Sequence, residues 1–217
     1  MKQSRFLLAC AAIGLALSAQ AVTVSWSGTP TGKTEIGSYG PGSVFAVTAT
    51  ITSVSGTGYD FLALAADTNA GNATANLGSN YIKVSKGVYN QSGAFAFWSK
   101  GASGGEQNNV THQIIGDRAY PISLVVDQTG ADTRITLYVN GTTNASMTFT
   151  LNSALSSPIT TLLLGTKEDA DVENVYVYTA EEGENIYAIA QEASVDGSAP
   201  IPEPTALALL ALGVAGV

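Results

Sequence analysis

The chain has 217 residues, 45% of them apolar, only 12% charged and 23 of them glycine, with a formal net charge of −8 and a pI of about 4.4. The apolar share is enough for one real core, while a polar surface built from Thr, Ser, Asn and Gly argues against a helical bundle or coiled coil. The acidic balance disfavours nucleic acid as a partner. The one cysteine, Cys10, falls in the N-terminal apolar run, so neither a disulfide nor thiol chemistry is expected of the domain beyond it.

Residues 1–21 read as a secretory signal peptide. Lys2 and Arg5 form a basic start, Phe6–Leu17 is apolar, and Ala19-Gln20-Ala21 is a small-x-small cleavage site, so the mature chain is expected to start near Val22. A lipoprotein signal at Leu7-Leu8-Ala9-Cys10 is the competing reading, but it would leave only Phe6–Ala9 as the apolar core of the signal.

Residues 22–198 read as one β domain. Val22–Trp26 alternates and opens the first strand, and Gly28–Gly42, with its glycines and prolines, is expected to be a loop. Ser43–Thr52 and Tyr59–Ala65 read as strands, and Asp67–Ser79 as a long loop. Tyr81–Val84 and Gly93–Trp98 read as strands, Lys100–Asn109 as a Gly/Ser-rich loop and Val110–Ile114 as a short strand. Tyr120–Asp127 is a clearer strand with Pro121 near its start, where the missing N–H is tolerated. In Arg134–Phe149, Ile135, Leu137 and Val139 alternate with polar residues. Asn140-Gly141, a pair that tolerates positive φ, then signals a type I′ hairpin returning through Ala145, Met147 and Phe149. Thr160–Gly165 and Val172–Thr179 complete the strands, and Ile186, Ala190 and Ala193 have helical spacing within Gly183–Ala193. About a dozen strands exceed an immunoglobulin module and suit a larger two-sheet sandwich or jelly roll.

The order of the last elements narrows the fold. LYVNG in the hairpin, TLLLG at 161–165 and VENVYVY at 172–178 ahead of a small helix resemble, in that order, the laminin-G-like/concanavalin A-like jelly-roll family. The resemblance covers roughly Tyr120–Ala193 and implies an all-β, two-sheet antiparallel jelly-roll sandwich with a short C-terminal helix.

Residues 199–217 carry a second resemblance. Ala199-Pro200-Ile201-Pro202-Glu203-Pro204 is a proline-stiffened linker, and Thr205–Val217 is uncharged and apolar on every face. Thirteen helical residues reach about 20 Å, short of a bilayer core of roughly 30 Å. The segment closely resembles the PEP-CTERM sorting signal of Gram-negative bacteria that make exopolysaccharide. That likeness implies Pro202, Glu203 and Pro204 as recognition residues, an exosortase as processing partner, membrane insertion through the apolar run, and a place in the cell envelope or surface. The family's basic tail is missing and the apolar run stops short, so either the chain continues past Val217, which is the favoured expectation, or the signal is a degenerate one.

Catalytic constellations are sparse. His112 is the one histidine, and no G-x-S-x-G nucleophile elbow occurs. Asp169-Ala170-Asp171-Val172-Glu173 has the spacing, though not the first residue, of the E-x-D-x-E strand of laminarinase-clan glycosidases, which share the jelly roll. The same Asp169, Asp171 and Glu173 offer hard oxygens for a Ca²⁺ ion, or form a solvated acidic turn. Aromatics offer platforms for sugar rings, Trp98 beside its Gly-rich loop first, then Tyr39 and Tyr59. These features together lead to an exported, surface-sorted, non-enzymatic module recognising glycan or matrix polysaccharide. A laminarinase-like glycosidase and a scaffold with no small ligand are the alternatives.

Overall fold

A computed structural model describes residues 22–28, 32–53, 59–66, 69–73, 75–86, 94–101, 107–113, 118–150, 155–165 and 170–200. The chain forms β1 (Thr23–Gly28), β2 (Lys33–Tyr39), β3 (Val44–Ser53), β4 (Tyr59–Ala65), β5 (Tyr81–Lys86) and β6 (Ala94–Lys100). It continues through β7 (Gln107–Gln113), β8 (Arg118–Asp127), β9 (Arg134–Val139), β10 (Thr142–Thr150), β11 (Ile159–Leu164), β12 (Ala170–Thr179) and α1 (Ile186–Asp196). Two six-stranded sheets result. Sheet A has the order β1-β12-β3-β8-β9-β10 and sheet B the order β2-β11-β4-β5-β6-β7. Every strand pair is antiparallel. The fold is therefore the expected two-sheet jelly-roll sandwich.

Alternation builds the core. Phe45, Val47, Ala49 and Ile51 of β3 face Leu62, Leu64, Ile82 and Val84 of sheet B, joined by Ile122, Leu124, Leu137 and Val177. Each of these side chains larger than Ala49 contributes about 1.5–3 kcal/mol on leaving water, before entropy is counted. The hairpin is as the dipeptide requires. Asn140 and Gly141 have φ of 52° and 67°, and Val139 pairs with Thr142 across the two-residue turn.

The outer faces of both sheets are partly covered. On sheet A, Ile186 and Ala190 of α1 pack on Ala46, Val125, Tyr138 and Tyr178. Asn185 caps the helix by accepting from the N–H groups of Tyr187 and Ala188, and Gly197 ends it in the left-handed region at φ 71°. Beneath the helix the Thr48 hydroxyl lies 2.8 Å from that of Ser123 and 3.1 Å from that of Tyr178, so these buried polar groups satisfy one another. On sheet B, Ala70, Ala73 and Leu77 of the 69–80 segment cover Ala63, Ala65, Tyr81 and Leu163.

Two expectations change. Gly28–Gly42 is not a continuous loop, because β2 occupies Lys33–Tyr39 and pairs with β11. Its buried residues, Ile36 and Tyr39, are three apart rather than two, because the ladder shifts register opposite Ile159–Thr161 and Gly37 sits at φ 114°. The 100–109 stretch also gives way to strand sooner than composition suggests, with β7 starting at Gln107. The signal peptide with Ala19 and Ala21, and the segment from Ile201 with Pro202, Glu203 and Pro204, lie outside the described residues.

Candidate functional site

The part of sheet B's outer face beside the 69–80 segment gathers the most chemistry among the described residues. Lys83 sits between Ile82 and Val84, both in the inter-sheet core, so it points outward. Its cross-strand partner is Trp98 of β6, half-buried on the same face. The Lys83 ammonium lies 5.6 Å from the Trp98 ring centroid, within cation–π range. From β4, Asp60 accepts from Lys83 Nζ at 3.3 Å and from the Ser85 hydroxyl at 2.5 Å. Both charged side chains are 18% exposed. Asp60 therefore holds the lysine stem against the sheet and keeps its charge beside the indole.

The arrangement follows from local sequence. Asp60, Ser85 and Lys83 are polar residues at outward positions of otherwise apolar strands, and Asp60 pairs directly with Ser85. The ladder between β4 and β5 shifts register between Asp60 and Leu62. Gly165 packs closely against the β4 backbone here, since a Cβ there would run into the Asp60 carbonyl oxygen. What the patch offers chemically is a half-buried indole with a partly exposed, anchored cation and carboxylate at its edge, while the buried Ser85 hydroxyl is spent on Asp60. Such a set stacks a ring and hydrogen-bonds its substituents.

Depressions elsewhere among the described residues include the following. One of about 660 Å³ is bounded by Asn69, Asn76, Ser79, Asn80 and Ser157 at the edge of the 69–80 segment. Asn80 is committed to structure there, accepting from Ser156 N–H at 2.9 Å. Another, about 240 Å³, is bounded by Asp127, Thr129, Asp132 and Arg134. Partial burial pushes the Asp127 carboxyl up, but hydrogen bonds from the Thr129 hydroxyl and N–H and from the Tyr187 phenol, with the Arg134 charge, outweigh it and hold it below its ordinary value. Burial first, then the Asp127 contact, pushes Tyr187 up to about 12. This network fastens the start of α1 to β8.

The residues singled out in the sequence separate. Trp98 is on the outer face of sheet B. Tyr39 is not a platform, because it is buried between the sheets, stacked on Phe45 at 4.1 Å and bonded through its hydroxyl to Ser25. Tyr59 opens β4, and its side chain lies outside the described residues, as do those of Trp26 and His112. Asp171 and Glu173 are exposed on β12, on either side of inward Val172, so both point away from the inter-sheet core on the outer side of sheet A. Asp169 lies outside the described residues, among which no group of three His, Cys, Asp or Glu could hold a metal ion. Asp60, Lys83 and Ser85 were not singled out. Their signal was a charged or polar residue at an outward position of an apolar strand, but only the register shows that they meet.

No family model matches the chain, and no curated protein matches it. Among solved structures it is similar to the CBM40 of the Ruminococcus gnavus IT-sialidase bound to α2,3-sialyllactose, with a TM-score of 0.50 and 11% identity, covering 77% of this chain and 99% of that one. It is also similar to the binding domain of botulinum neurotoxin DC in complex with SialylT (TM-score 0.47, 15% identity, 79% of this chain and 44% of that one). A third similarity is to alginate lyase A1-II′ of polysaccharide lyase family 7 (TM-score 0.45, 9% identity, 70% and 73%). The chain thus spans less than half of the neurotoxin chain. At these identities the likeness is one of fold.

Proposed function

We propose that this protein is an exported, surface-sorted β-sandwich that binds glycan through the outer face of sheet B and catalyses no reaction. The observation that carries the reading is Trp98 held half-buried beside the anchored Lys83–Asp60 pair. An indole face stacks on the C–H face of a sugar, and the flanking donors and acceptors answer its hydroxyls. The fold supports the same reading, since a solved CBM40 of this architecture holds sialyllactose. Export and sorting rest on the basic-apolar-Ala19-Gln20-Ala21 start and on Pro202-Glu203-Pro204 with the apolar run behind it. Asp171 and Glu173 lie on sheet A, away from Trp98, which supports a binding rather than a hydrolytic role.

A glycan array probed with the full chain tests the binding, with isothermal titration on the best ligand. Trp98→Ala should weaken that ligand about ten-fold or more, as loss of a central aromatic anchor does. Absence of binding to any glycan, or a Trp98→Ala variant that binds as tightly, would overturn the reading. Mass spectrometry of both termini from the native envelope tests the two addresses.

A further inference from the structure

Charge is divided unevenly between the two sheets. The outer face of sheet B carries three lysines, Lys33, Lys83 and Lys100, against two acids, Glu35 and Asp60. The strands of sheet A together with residues 180–200 carry two arginines, Arg118 and Arg134, against eight acids. In a chain of net charge −8, the face that bears Trp98 is therefore the one relatively rich in cations.

The lysines are also placed. Lys33 pairs with outward Leu163, and Lys100 pairs with outward Tyr81, so both lie on the same face as Lys83. Lys83 is the direct cross-strand partner of Trp98, and Lys100 is two residues along from Trp98. Lys83 and Lys100 are thus diagonal neighbours on adjacent strands, with backbones about 7–8 Å apart. Asp60 offsets one of the two charges. The like charges otherwise repel, and an anion seated across them would relieve that repulsion.

We infer that the Trp98 face selects anionic glycans, polymers carrying carboxylates or comparable acidic groups, over neutral ones. This rests on the glycan-binding reading above and adds the ligand class. The acidic sheet A face repels such a polymer while the sheet B face attracts it, so the long-range field also orients the approach. The sugar ring stacks on Trp98 and its acidic group lies between Lys83 and Lys100.

The test uses one polymer in two charge states, polygalacturonate and its fully methyl-esterified form, with dextran as an unrelated neutral chain. Titrations of the full chain are run at low and at high salt. Polygalacturonate should bind tighter than its ester, and the preference should collapse as salt rises from about 50 mM to about 500 mM, because exposed charges are screened. Lys100→Gln should weaken polygalacturonate binding about three-fold, with Lys100→Arg restoring it and Arg118→Gln, a cation of the opposite sheet, leaving it unchanged. Thermal melts establish that each variant is folded. Equal affinity for acid and ester, or an equal effect of Lys100→Gln and Arg118→Gln, overturns the anionic preference. If Trp98→Ala still abolishes binding in those cases, the glycan-binding reading stands without it. No binding to any of the three polymers, with a blank glycan array, overturns both.

Discussion

The backbone N–H of Gly141 donates to the Ser194 hydroxyl at 3.0 Å, which joins the tip of the β9–β10 hairpin to the last turn of α1. The Ser194 hydroxyl in turn donates to the Gln191 carbonyl at 2.7 Å, and Gln191 Nε2 donates to the Gly141 carbonyl at 3.2 Å. Both polar groups of a turn residue are thereby answered by one helix. Ser194 is fully buried, so Ser194→Ala leaves the Gly141 N–H without its acceptor and should cost about 1–3 kcal/mol. Gly141→Ala adds a Cβ against Val195 at φ 67° and should be destabilising as well. Urea unfolding measures both. A Ser194→Ala midpoint equal to the parent's would mean that the helix does not hold the turn.

How much of this was legible in the chain depended on range. The hairpin could be read because Asn140-Gly141 dictates its turn within two residues, and α1 because Ile186, Ala190 and Ala193 recur on one face. The clamp between them could not, since its partners are 53 residues apart and carry no shared pattern. β2 was hidden because its register shift spaces Ile36 and Tyr39 three apart among glycines. Tyr39 is ambiguous in the sequence for a related reason. A tyrosine suits a core or a platform equally well, and only the sheet that covers it decides. In the candidate site Trp98 was visible as an aromatic beside a Gly-rich loop, whereas Asp60 and Lys83, 23 residues apart, become a pair only through the β4–β5 register.

The Asp60–Lys83 ion pair is partly buried and shares its carboxylate with Ser85, so it is better ordered than a free surface pair. A double-mutant cycle on Asp60→Asn and Lys83→Met should give a coupling energy of about 0.5–1 kcal/mol in stability. The cycle also separates structure from recognition. Asp60→Asn removes the anion beside the indole while keeping its shape, so binding of an anionic polymer should strengthen even as stability falls. Zero coupling in the cycle would show that Asp60 does not anchor the lysine.

Asp171 and Glu173 face solvent on β12 with no ladder role for their side chains. The double variant Asp171→Asn/Glu173→Gln should change stability by no more than about 0.5 kcal/mol. Glycan binding should be untouched, because both residues belong to the sheet opposite Trp98. Incubation of the parent chain with laminarin, read by reducing-end release, should give no product. Release that disappears in Glu173→Ala would instead establish the glycosidase.

Acid should loosen the start of α1. The Asp127 carboxyl is held below its ordinary value of 3.8 and accepts from the Tyr187 phenol at 2.8 Å. A carboxylate with a lowered folded value stabilises the fold fully above its unfolded value, and that contribution is lost as pH falls through the folded one. Asp127→Asn should therefore flatten the acid side of the stability profile below about pH 4. Amide exchange at 186–190 should speed up in the parent over that range and show little further change in the variant. Parallel acid profiles for the two proteins would rule out this link.

Alkali should act through Tyr178. Burial pushes its phenol up to about 12 from an ordinary 10.0, the Tyr138 charge adds to this, and hydrogen bonds with Thr48 and Ser123 pull the other way. The neutral phenol is the form the fold accepts. The unfolded chain ionises its tyrosine near the ordinary value, while the folded chain resists until the higher one. The stability contribution is thus complete below about pH 10 and is lost as pH rises through about 12. The shift corresponds to a loss on the order of 2–3 kcal/mol across that window. Tyr178→Phe deletes the titrating group, and Thr48 and Ser123 still bond each other at 2.8 Å, so the variant should lose only about 1 kcal/mol near neutrality. Urea unfolding at about pH 7 and about pH 11 should then show a smaller alkaline drop for Tyr178→Phe than for the parent. Tyr187, also pushed up to about 12 but more exposed, leaves a residual slope that Tyr187→Phe isolates. Equal alkaline losses in the parent and in Tyr178→Phe would mean that the buried hydroxyl cluster beneath α1 does not set the alkaline limit of the fold.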